Sequence, residues 1–341
     1  MMNGQPPIPM NESESEAGLL ETTPPPVPFK DRYTGLVIFG ILTLLLGGLI
    51  GLFIPLAFFG MAASAKTTGT PVNTNALLPI LGIYGALAVV LIWLGIGSIL
   101  ARRWARALLL IWSWAWLVFG IIGGVAMICV LPGVFRNMPA TGGPGQPAIA
   151  MGPIIIIMFL VFAVMFVALP AVWLLFYRSP HVKATCEARN PGDCWTDACP
   201  LPVLGFCLWL LFSVPMFLAM PMMGHGVAPF FGTFLTGVTG TLFYLLIACV
   251  WAWSAWNLYH LESRGWWVIL VGLVLFTLSS LLTYAFHGPV EMYQLMGYPD
   301  AQIAQMQSLL AGNRMEWFTV ISMLPLFLYL FWIKRYLPRP A

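Results

Sequence analysis

His181, Cys186, Cys194 and Cys199 fall within 19 residues, spaced H-x4-C-x7-C-x4-C. Thiolate and imidazole are ligands that zinc accepts, but structural zinc sites use tighter pairs such as CxxC, and this spacing fits no common one. Reduced, metal-free thiols are the expectation, with zinc the competing outcome, because placement on the cytoplasmic side, argued below, disfavours disulfides. A second soft cluster, Met220-Pro221-Met222-Met223-Gly224-His225, joins thioethers to an imidazole, a donor set that suits Cu(I). His287 with Met292 and Met296 offers the same chemistry elsewhere. Methionine is also an adaptable apolar filler, and no MxxM array or paired CxxC relay accompanies these residues.

Hydroxyls form the third constellation. Thr277, Ser280, Tyr284 and His287 are spaced by 3, 4 and 3, which puts them on one face of a helix. Thr233, Thr236, Gly237, Gly240 and Tyr244 make a comparable small and polar stripe. Where two such faces meet they line a vestibule, so Thr236, Tyr244, Thr277, Ser280, Tyr284 and His287 are the candidate ligand-binding residues. The competing role is structural, since hydroxyls in apolar helices commonly bond across to neighbours or back to their own carbonyls. No charged group accompanies the stripes to anchor a substrate. The chain contains no HExxH, no GxSxG, no phosphate-binding glycine loop and no acidic pair inside an apolar run. It reads as a non-enzyme with no cofactor.

The elements that must position these residues follow from composition. Of 341 residues, 60% are hydrophobic and only 8% charged, with a mean hydropathy of +0.88. A soluble domain carries about 25% charged residues to cover its surface, so a soluble enzyme, a nucleic-acid binder and a disulfide scaffold are excluded. Eight runs meet the roughly 20 apolar residues needed to span a bilayer: 35–59, 76–100, 107–130, 153–177, 201–223, 233–256, 266–286 and 317–333. Because they are continuous rather than alternating, they are helices, and the expected class is an all-α polytopic transmembrane bundle.

Orientation comes from the basic residues. Lys30, Arg32, Arg102, Arg103, Arg106, Arg178, Lys183, Arg189, Arg264, Lys334, Arg335 and Arg339 fall on one side of this topology, and Lys66, Arg136 and Arg314 on the other. Twelve against three predicts both termini in the cytoplasm, in an inner (plasma) membrane. Tryptophan sorts with the basic side, leaving Trp317 alone opposite, while methionine sorts the other way. Residues 1–33 hold Glu12, Glu14, Glu16 and Glu21 with Pro24, Pro25, Pro26 and Pro28 and no apolar core, so they are a disordered cytoplasmic tail rather than a cleavable signal. Its prolines make it the expected docking segment if a protein partner exists.

The chain also repeats. A shift of 166 sets Phe29, Asp31, Pro55 and Gly60 on Trp195, Asp197, Pro221 and Gly226. A shift of 155 sets Leu169-Pro170 through Phe176 on Leu324-Pro325 through Phe331, and one of 162 matches Arg102-Arg103-Trp104 with Arg264-Gly265-Trp266. Helices 2 and 6 show no register. Four helices per half is an even number, so the halves, 34–178 and 201–341, enter the membrane in the same sense as parallel repeats. The cytoplasmic Cys/His loop 179–200 joins them, and an outer amphipathic segment, 287–316, is predicted to start a helix at Pro299-Asp300. Gly47 with Gly51 and Gly120 with Gly124 are GxxxG pairs, read as packing within the bundle. The functional expectation is a scaffold or modulator of partner proteins in the bilayer. The alternative is a carrier for a metal or small amphiphile through the vestibule of helices 5 to 7.

Overall fold

The computed structural model describes residues 29–68, 74–137, 151–298, 300, 303–304 and 314–338. Its elements are α1 (Tyr33–Thr68), α2 (Thr74–Ile99), α3 (Arg103–Asn137), and α4 (Met151–Ala163) continued through a π turn (Val164–Ala168) into α5 (Leu169–Arg178). Then come α6 (Pro180–Arg189), a 3-10 turn (Trp195–Asp197), α7 (Leu201–Gly224), β1 (Ala228–Phe230) and β2 (Thr233–Leu235). The chain continues through α8 (Gly237–Tyr259), α9 (Ser263–Phe286), α10 (Pro289–Leu295) and α11 (Arg314–Ile333).

Seven helices among the described residues are long and apolar enough to cross a membrane: α1, α2, α3, the continuous α4–α5, α7, α8 and α9. At most a third of the most apolar stretch of each is buried inside the chain, and side chains such as Leu52, Phe59, Leu175 and Val238 stand fully outward. Such a surface is tolerable only against lipid. The eighth expected span falls on α11, whose first turns are only partly described.

Inside, the apolar residues form two clusters. One gathers Leu36, Leu94, Leu109, Trp173, Leu174 and Tyr177 from α1, α2, α3 and α5, and the other gathers Leu204, Leu210, Trp251, Trp266, Ile269 and Leu330 from α7, α8, α9 and α11. Leu201 packs against both. Glycines let the helices approach. A Cβ on Gly120 would stand 1.9 Å from the carbonyl oxygen of Phe166. That carbonyl lies four residues before Pro170, which has no N–H to bond it, so the π turn takes up the proline and the freed oxygen lies against α3. Gly47 likewise meets the backbone of Ala88 on α2. Both GxxxG pairs therefore pack within the chain.

Corresponding corners recur. Ala101 and Leu261, 160 residues apart, both adopt a left-handed backbone with φ of 50° and 60°. At the first, the N–H groups of Ala101 and Arg102 donate to Ser98 O and Gly97 O; at the second, those of Leu261 and Glu262 donate to Leu258 O and Asn257 O. This is one helix-terminating motif used twice. Tyr177 joins Ser98, whose hydroxyl donates to Leu36 O, while Tyr329 donates directly to Pro202 O, the carbonyl 166 residues further on. Asp31 and Asp197, at the entries to α1 and α7, are each ion-paired with an arginine.

Two features depart from an all-helical reading. Residues 228–235 form an antiparallel hairpin, Ala228 opposite Leu235 and Phe230 opposite Thr233, whereas the sequence predicts helix 6 from residue 233; that helix begins only at Gly237, so Thr233 and Thr236 are not on it. The expected loop 179–200 contains α6, begun by Pro180 at its first turn. The helix predicted from Pro299 falls largely outside the described residues, as does the Pro-rich tail.

Candidate functional site

The two ends of the bundle treat their polar groups differently. At the end away from most of the basic residues, the hairpin lies on α9. The N–H groups of Phe231 and Gly232 donate to Ser279 Oγ (2.9 Å) and Thr283 Oγ1 (3.1 Å). Ser279 donates onward to Pro229 O, and Thr283 to Ser279 O at 2.8 Å. These two hydroxyls, four residues apart on one face, were not in the predicted stripe, and they do its structural work.

Four of the six predicted ligand-binding residues bond elsewhere. Tyr244 donates to Val227 O (2.8 Å), Thr277 to Leu273 O in its own helix (2.7 Å), and Tyr284 to the Met292 thioether (3.2 Å). His287 Nδ1 lies 2.8 Å from Glu291. Ser280 is buried on α9, and Thr236 is an exposed residue at the start of α8. Thr236 and His225, with Pro221, Val238 and Leu295, flank an open groove of about 600 Å³. Met220, Met222 and Met223 are exposed on the last turns of α7, where helical spacing turns Met222 away from the other two. His225 takes a left-handed backbone and lies against Gly297.

The Cys/His set is not gathered either. No group of three His, Cys, Asp or Glu side chains converges among the described residues. His181 Nδ1 accepts from the Lys30 backbone N–H at 3.4 Å. Cys186 and Cys199 are buried, and Cys194 is half-buried. Burial pushes the Cys186 thiol up to about 11 against the pull of nearby Arg106, and burial alone pushes Cys199 up to about 11. A metal ligand must be thiolate, so these two sulfurs are poorly suited to that role.

The basic end is laced by charge. Arg189 pairs with Asp31 (3.2 Å) and stacks over the Tyr33 ring at 3.7 Å, while the Arg32 N–H donates to Thr185 Oγ1. These contacts bind the entry of α1 to α6. Arg102 and Arg103 donate to Asn190 and to Gly192 O, and Arg103 pairs with Asp197 at 2.8 Å. Between α3, α6 and the turn before α7 lies a cavity of about 400 Å³. Arg103, Arg106, Lys183, Glu187, Thr196 and Asp197 line it, along with both buried thiols.

Five buried side-chain nitrogen or oxygen atoms lack a partner among the described residues, and two of them, Arg106 Nε and Thr196 Oγ1, line this cavity. Leaving such atoms unpaired costs about 1–3 kcal/mol each. Sequence reading placed Arg106 among solvated loop arginines, and its position one turn into α3 was the signal available. No family model, no curated protein and no solved structure matches this chain.

Proposed function

We propose that the chain is a non-enzymatic, eight-span protein of the inner (plasma) membrane that scaffolds or modulates partner proteins, with both termini cytoplasmic and two parallel four-helix repeats. The observation that carries the scaffold reading is the internal use of the vestibule hydroxyls. Tyr244, Tyr284 and Thr277 each donate within the chain, which leaves a carrier few free groups to grip a substrate. The recurring corners at Ala101 and Leu261 and the paired entry aspartates favour the repeat. The crowding of arginine at one end favours a cytoplasmic position for that end.

Reporter fusions test the topology. Those after Lys66, Arg136, His225 and Asn313 should report the outer side, and those after Arg103, Lys183 and Arg264 the inner side; a cytoplasmic signal at His225 would contradict eight spans. The scaffold reading requires a partner retained at fixed stoichiometry in mild detergent and lost when residues 1–28 are deleted. A second reading, a carrier for a metal or small amphiphile, rests on the open groove beside His225. It requires solute-dependent stabilisation that disappears in His225→Ala.

A further inference from the structure

We propose that the cavity between α3, α6 and the Thr196 turn is a binding site for a phosphate group, presented by an anionic lipid headgroup or by a soluble phosphate ester. The charges on its walls pair except for one. Arg103 is held by Asp197 at 2.8 Å and Lys183 by Glu187 at 3.7 Å. Arg106 makes no ion pair among the described residues, and Glu187 and Asp197 act on it only at longer range. A guanidinium offers five N–H donors and no acceptor, so what the site lacks is an acceptor bearing negative charge.

Thr196 points to the same ligand independently. Only 2% of it is exposed, it lines the cavity, and its hydroxyl has no partner among the described residues. A phosphate supplies several acceptor oxygens to one guanidinium and one hydroxyl together, in the forked geometry that arginine favours. The two thiols on the wall are held protonated, as described above, and add no competing negative charge. Fixed negative charge on the wall is confined to Glu187 and Asp197, both already facing cations. The site lies at the basic end, at the first turn of α3, within reach of both headgroups and the aqueous phase.

The test uses the full chain, delipidated in an uncharged detergent, with thermal unfolding followed by tryptophan fluorescence. Inorganic phosphate and glycerol 3-phosphate form one arm, and mixed micelles of phosphatidic acid against phosphatidylcholine form the other. Wild type should show saturable binding of one molecule per chain in at least one arm, and the responding arm identifies the source. Arg106→Gln should weaken that binding at least tenfold, Thr196→Val several-fold, and Arg264→Gln, at the same end but outside the cavity, not at all. Without added anion, Arg106→Gln should be no less stable than wild type. Binding that is absent in wild type, unchanged in Arg106→Gln, or reduced equally by Arg264→Gln would overturn the proposal. Should Arg106→Gln fail to fold, Thr196→Val decides by the same criteria. The scaffold reading is not at stake in either result.

Discussion

The two ends of this bundle put their polar groups to opposite uses. At the hairpin end, backbone N–H groups that a turn would leave bare are capped by Ser279 and Thr283, and Tyr244, Thr277 and Tyr284 each donate to an acceptor in their own chain. At the basic end, ion pairs hold Arg103, Lys183 and Arg189, yet a guanidinium nitrogen and a hydroxyl remain buried and unbonded among the described residues in one cavity. Satisfied groups stabilise the fold, whereas a buried unsatisfied group calls for an explanation, and a bound second molecule is the one proposed for the pair in this cavity. The lesson is that counting polar residues, as a sequence permits, does not separate these cases; counting their partners does.

Breaking the hairpin end should have the largest effects. A Cβ on Gly240 would lie 1.6 Å from the carbonyl oxygen of Gly226, with backbone on both sides. Gly240→Ala should therefore cost about 3 kcal/mol or prevent folding, read as the yield of monodisperse protein and its unfolding temperature. The double substitution Ser279→Ala with Thr283→Val strips both caps from Phe231 and Gly232. Its expected cost is about 1–2 kcal/mol, and hydrogen exchange should rise over residues 228–235 while phosphate binding stays unchanged.

Smaller effects sharpen the contrast. Tyr284→Phe removes only a hydroxyl bonded to a thioether, so about 0.6 kcal/mol or less is expected in thermal unfolding. Maleimide labelling should follow burial, with half-buried Cys194 reacting well ahead of Cys186, whose thiol is pushed up to about 11. The smallest effect concerns the latch at Asp31, whose carboxyl is held below its ordinary 3.8 first by the Tyr33 N–H and then by Arg189. A lowered folded-state value means the latch contributes fully above pH 3.8 and is lost as pH falls through that lower value. The exchange protection factor of the Tyr33 N–H, corrected for the intrinsic pH dependence of amide exchange, should therefore hold steady down to about pH 4 and fall only below it.

Much of the architecture was legible because lipid imposes a coarse rule: long apolar runs must be helices. Seven of the eight predicted runs meet it among the described residues. The hairpin was missed because three-residue strands leave almost no pattern, though Phe230-Phe231-Gly232-Thr233-Phe234 does carry a turn glycine between aromatic residues. The likeness of the corners at Ala101 and Leu261 left no mark in the sequence because they share backbone geometry, not side chains. The predicted stripe lies one helical position from the residues that bond the hairpin. Ser280 and Tyr284 were chosen for spacing, but the face that meets the hairpin carries Ser279 and Thr283, and only the hairpin, itself unforeseen, decides which face matters. Arg106 looked like its neighbours Arg102 and Arg103, and its burial depends on α6, which the sequence reading took for loop.

One paired measurement tests the central claim that the satisfied hydroxyls at the hairpin are architectural and the unsatisfied pair in the cavity binds. Arg106→Gln and the Ser279→Ala, Thr283→Val variant should be compared with wild type for unfolding temperature without added anion and for the midpoint of phosphate-group binding. The account predicts a clean exchange: Arg106→Gln loses at least tenfold in binding with no loss of stability, and the hairpin variant loses stability with its binding midpoint unchanged. Arg106→Gln unfolding earlier while binding as wild type does would contradict it.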